Sequence, residues 1–100
     1  MTAQIIERNN HYLLSGPITF DRITPLYREL LRICKTKSES TINLDLELVT
    51  ESDSAAVALL VAINQTRDVV IHNLNRNVAN LMQLYGVDWL QINTETRNDD

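Results

Sequence analysis

Two periodicities alternate along the chain. Gln4-Ile5-Ile6-Glu7 and Tyr12-Leu13-Leu14-Ser15 are short β-prone runs, and the asparagines of Arg8-Asn9-Asn10-His11 between them suit a tight turn. A first hairpin is expected, with Gly16-Pro17 bending the chain away from it. Over 21–35 the spacing turns helical. Ile23, Leu26, Tyr27, Leu30, Ile33 and Cys34 share one side, while Arg22, Arg28, Glu29, Arg32 and Lys35 take the other. Asp21 or Thr24 can cap this helix, since each offers an oxygen to free amides. Pro25 lies in the first turn, where a missing N–H does no harm. Ile42, Leu44, Leu46 and Leu48 then alternate with Asn43, Asp45 and Glu47, the period of a strand.

Periodicity alone leaves the nine-residue apolar run Ala55 to Ile63 open between a buried strand and a buried helix. Its length, its four alanines and the cap-like Ser52-Asp53-Ser54 before it decide for a helix over 54–66. Val69-Val70-Ile71-His72 is a β-branched strand. Leu74, Val78, Leu81, Met82 and Tyr85 make a further helical stripe over 75–85, closed by Gly86 where a C-cap favours glycine. Trp89-Leu90-Gln91-Ile92 is a last short strand or a packed terminal segment. The order β-β-α-β-α-β-α predicts an α/β domain with a four- or five-stranded mixed sheet. The crossovers supply its parallel part and the hairpin an antiparallel pair, with helices packed mainly on one face.

A length of 100 residues suits one domain, placed over 1–92, with the polar end 93–100 as a tail. The 44% share of hydrophobic residues excludes disorder, and a single cysteine excludes an internal disulfide. Two histidines and one cysteine are too few for most transition-metal sites, so no metal or cofactor is expected. Nine basic against thirteen acidic residues, with no basic cluster, disfavour nucleic-acid binding. The longest apolar run, nine residues, falls short of the roughly 20 that a membrane-spanning helix needs. A soluble cytoplasmic protein is expected, held at a membrane only through a partner.

The chemistry of an enzyme is hard to assemble from these residues. Ser54 lacks a Gly-x-Ser-x-Gly elbow, and neither His11 nor His72 has an evident orienting carboxylate. Gly16 and Gly86 are too far apart for a phosphate loop, and Cys34 reads as a small buried hydrophobe. The joint Glu51-Ser52-Asp53-Ser54 is more informative, because it delivers a strand to the amide-rich start of an apolar helix. Capping by Asp53 or Ser54 accounts for both residues. Alternatively, the Ser54 hydroxyl is a contact or modification point, where a phosphate is favoured by the dipole and opposed by Glu51 and Asp53. Ala55, Ala58 and Ala62 line one side of that helix, and Val57, Leu60 and Val61 another. The small side permits close approach, either to the domain's own strands or to a partner's helix.

Four segments carry a family resemblance: Leu14-Ser15-Gly16-Pro17-Ile18, Ile42-Asn43-Leu44-Asp45-Leu46, Asp53-Ser54-Ala55-Ala56-Val57-Ala58-Leu59-Leu60, and Asn73 to Val87. In this order they resemble the STAS domain, the fold of sulfate-transporter C-terminal domains and of bacterial anti-sigma-factor antagonists. In the antagonists, Asp-Ser is followed by Ser or Thr and then Gly, and that serine is phosphorylated. Ser54 holds its position here, with Ala55 and Ala56 replacing the two following residues. The Leu84-Tyr85-Gly86-Val87 ending is more similar to the small cytoplasmic STAS subunit of the Mla complex, an ABC transporter of phospholipids. The resemblance implies a non-catalytic subunit that binds the ABC ATPase and, through it, permease and periplasmic lipid-binding subunits. It would sit on the cytoplasmic face of the inner membrane and support outer-membrane lipid asymmetry. The implied partner-binding residues are Ser52, Asp53, Ser54, Ala55 and Ala58; the alternative is an antagonist toggled by phosphorylation at Ser54.

Overall fold

The computed structural model describes residues 3–93; most of the expected tail, from Thr94 to Asp100, lies outside them. Strands β1 (Gln4–Arg8) and β2 (His11–Ile18) form the hairpin, and Asn9 and Asn10 between them have φ of 54° and 67°. Two positive φ values in a two-residue loop make a turn whose twist matches that of the flanking strands. Helix α1 (Ile23–Thr36), β3 (Thr41–Ser52), α2 (Ser54–Asn64), β4 (Asp68–His72), α3 (Arg76–Leu84) and β5 (Gln91–Ile92) follow. The strands lie in the order β1-β2-β3-β4-β5, with β1 antiparallel to β2 and every later neighbour parallel. The expected mixed sheet is present, with five strands.

Three right-handed crossovers in a sheet that grows in one direction leave all three helices on the same face. Tyr12, Leu14, Ile42, Leu44, Leu46, Val69 and Ile71 point to that face and meet Leu26, Leu30, Ile33, Leu59, Leu60, Ile63, Val78 and Met82 in one core. Residues of the opposite parity, His11, Asn43 and His72 among them, form the other face. There the His72 Nε2 meets Asn43 Oδ1 at 2.9 Å and Nδ1 meets the side-chain nitrogen of Asn93 at 2.9 Å. Asn93 also donates its backbone N–H to Ile71, extending the β4–β5 ladder by one bond. Cys34 is buried in the core, and desolvation raises its thiol pKa above the ordinary value.

Several expectations are corrected. Gly16-Pro17 does not turn the chain out of the sheet: β2 runs through both to Ile18, and β3 accommodates them with register shifts opposite Leu13–Ser15 and Gly16–Pro17. A bulge tolerates the N–H that proline lacks, and Gly16 supplies a φ of 90°. Neither Asp21 nor Thr24 caps α1. Its N-cap is Arg22, with no side-chain bond, because Asp21 is engaged by the Thr19 hydroxyl at 2.7 Å. Tyr85 is half exposed, since α3 ends one residue earlier in a left-handed Gly86 turn. That turn is closed by Gly86 N–H to Gln83 and Val87 N–H to Met82, the paired bonds of a Schellman ending. No helix among the described residues is long and apolar enough to cross a membrane.

Candidate functional site

Strand β3 delivers Asp53 to the start of α2, where the carboxylate does two things at once. Oδ1 accepts the Ala55 amide at 2.8 Å, capping the helix, and Oδ2 accepts the Phe20 amide at 3.1 Å. The second bond fastens the β2–α1 loop beside α2. Ser54 then opens the helix as an exposed first residue. The cap is thus Asp53, and Ser54 is left available for contact.

Helix α2 resolves the question of its alanines. Ala56, Val57, Leu59, Leu60 and Ile63 are buried toward the sheet and the neighbouring helices. Ala58 is exposed, and Ala55 and Ala62 are half-buried, so this stripe faces away from the strands. The stripe forms the floor of a groove between α1 and α2 of about 390 Å³, bounded by Phe20, Ile23, Thr24, Tyr27 and Ser54. Phe20 is 81% exposed at its mouth. Burying rings and methyls at an interface releases about 25 cal/mol per Å², so an apolar groove this open favours a protein partner over water.

The five implied binding residues therefore divide. Ser54, Ala55 and Ala58 share the groove; Asp53 shapes it from beneath through hydrogen bonds. Ser52 belongs to the other flank, where its carbonyl and Oγ accept the Asn77 side-chain amide of α3 at 2.9 and 2.8 Å. The half of the groove supplied by α1 was not legible beforehand. Ile23 and Tyr27 lie on the same helical stripe as true core residues, and a loop phenylalanine gives no periodic signal. Phe20 between Thr19 and Asp21, an aromatic residue in a polar loop, was the available clue.

Among the described residues no group of three or more His, Cys, Asp or Glu side chains is placed to hold a metal ion. The geometry here is that of a contact surface: a capped helix start, an exposed serine and an apolar trough.

A family model described as "Mlab, STAS domain" matches residues 8–92. Among curated proteins none matches closely enough to count as a relative. Among solved structures, the chain is similar to the anti-sigma-factor antagonist SpoIIAA in its unphosphorylated form. That match has a TM-score of 0.66 and 12% identity, over 95% of this chain and 90% of the other. It is also similar to the Bacillus cell-fate determinant SpoIIAA in its phosphorylated form, with a TM-score of 0.64, 14% identity and coverage of 94% and 93%. At such identities the likeness establishes the fold. With the family match over most of its length, the chain belongs to the STAS domain family, whose members mediate protein–protein interaction.

Proposed function

We propose that this STAS domain is a non-catalytic subunit that docks on the ATPase of an ABC phospholipid transporter and supports its assembly or activity. Permease and periplasmic lipid-binding subunits would join through that ATPase, placing the domain on the cytoplasmic face of the inner membrane. The observation that carries this reading is the apolar α1–α2 groove, which puts Ser54, Ala55 and Ala58 beside an exposed Phe20. Small residues in its floor admit a partner side chain or helix at close range. The name of the matching family model supports the transporter assignment, since it carries the Mla designation.

The competing reading, an anti-sigma-factor antagonist switched at Ser54, is favoured by the likeness to SpoIIAA. The local sequence weighs against it. Ala55 and Ala56 stand where the antagonists carry Ser or Thr and then Gly. Purification of the tagged chain from membranes separates the two. The transporter reading expects an ATPase and a permease in stoichiometric yield and unmodified Ser54 in mass spectra across growth states. A kinase-like partner with a phosphorylated Ser54 fraction would replace it by the alternative.

A further inference from the structure

A second hollow lies on the opposite side of α1, with about 550 Å³ between that helix and β1. Strand β1 is an edge of the sheet with one strand neighbour, β2. Its two-residue turn makes Arg8–His11 a hydrogen-bonded pair, and the pairs then alternate, so Ile6 and Gln4 also bond to β2. The N–H and C=O groups of Ile5 and Glu7 point outward in consequence, and Ala3 continues their parity. The side chains of these three residues line the hollow, with Leu26 and Ile33 of α1 opposite. A row of outward backbone groups therefore runs along a cleft with Ile5, Leu26 and Ile33 in its lining and charged side chains around them.

We propose that this cleft takes an extended peptide segment of a partner protein, added as a sixth strand on β1, with apolar side chains at alternate positions settling beside Ile5 against α1. Main-chain pairing supplies affinity in such an arrangement, and the pockets for alternate side chains supply selection. Charge narrows the occupant further. The rim carries Glu7 with Lys37 at 3.5 Å and Glu29 with Arg32, so its acids and bases already neutralise one another. A segment without charge in its inward positions is the complement of such a rim, whereas a charged one would lose hydration for no counter-ion. A second copy of the chain is the poorer fit. Its own β1 would bring the charged Glu7 to an inward position, where the neutralised rim offers no counter-ion.

The test uses the full chain, labelled with nitrogen-15, and synthetic ten-residue peptides carrying Val or Ile at alternate positions with Ser or Thr between. Scrambled peptides of equal composition serve as controls. The alternating peptides are expected to shift and protect the amides of Ala3, Ile5 and Glu7, and to outbind their scrambles. Glu7→Pro removes an outward N–H without touching the ladder to β2, and is expected to weaken binding about tenfold. Glu7→Gln should leave binding within about twofold, since the rim pair is exposed. Should Glu7→Pro unfold the hairpin, Ile5→Thr must weaken the same peptides about fivefold. Four results would each overturn the proposal: equal binding of scrambles, shifts confined to the Phe20–Ala58 groove, no affinity tighter than about 1 mM, or protection of β1 that grows with protein concentration alone. The last would assign the edge to a second copy, and none of the four touches the transporter reading.

Discussion

Helix α1 separates two hollows of unlike origin. On one side, the α1–α2 groove exists because Ala55, Ala58 and Ala62 are too small to fill the space between two helices. On the other, the β1–α1 cleft lies where α1 meets the edge strand of the sheet. The first is made by side-chain volume and is apolar to its rim; the second is made by topology and is fringed with ion pairs. A hollow of the first kind can be erased by one substitution.

The largest effect should come from the wall they share. Leu30 is fully buried on the inner face of α1, and Leu30→Ala is expected to cost about 2–5 kcal/mol in urea unfolding. Binding at both hollows should fall together; loss at one alone would mean that α1 does not couple them. Next, Ala58→Arg fills the groove from an exposed position, so folding should change by no more than about 0.5 kcal/mol. If the proposed ATPase docks there, affinity for it should drop roughly five- to hundredfold, while peptide binding along β1 stays as it was. Wild-type assembly and ATP turnover in that variant would remove the groove from the interface.

Asp53→Ala comes third. Loss of the cap should lower stability by about 1 kcal/mol, read from thermal unfolding, and free the Phe20 amide as well. Asp53→Asn keeps one acceptor, enough for the cap but not for both bonds, and should restore part of the stability. The smallest effect belongs to Lys37→Met on the cleft rim, where the melting temperature should fall only slightly at neutral pH because the pair is exposed. The Lys37 ammonium is held above its ordinary pKa, first by the Tyr12 hydroxyl and then by Glu7. A raised cationic pKa contributes fully below the unfolded value and is lost only as pH rises through the folded one. Any difference between the two proteins should therefore be present at neutral pH and below, and vanish in strongly alkaline solution.

Element types were legible because core positions repeat with a period. Leu44, Leu46, Val69 and Ile71 alternate, and Leu26, Leu30, Ile33 and Cys34 recur at helical spacing; all of these are buried. What escaped was set by contacts distant in the chain. Gly16-Pro17 reads locally as a turn, yet pairing with Val49 and Glu51 of β3 keeps it in the sheet. Asp21 reads as a cap until Thr19 engages it. At the site, Ser54, Ala55 and Ala58 could be named from a strand-to-helix joint, but their apolar neighbours could not. Ile23 and Tyr27 differ from Leu26 and Leu30 only in which side of α1 another helix covers, and that is decided by α2.

The bond from Asp53 to Phe20 spans 33 residues, and its consequence is kinetic. Closing so long a loop is entropically costly, and it becomes favourable only after β3 has paired with β2 and carried Asp53 to its place. The aromatic mouth of the groove is therefore among the last features to assemble. A nascent or partly unfolded chain presents the alanine stripe without its phenylalanine. Docking that required both would favour finished molecules over partly folded ones.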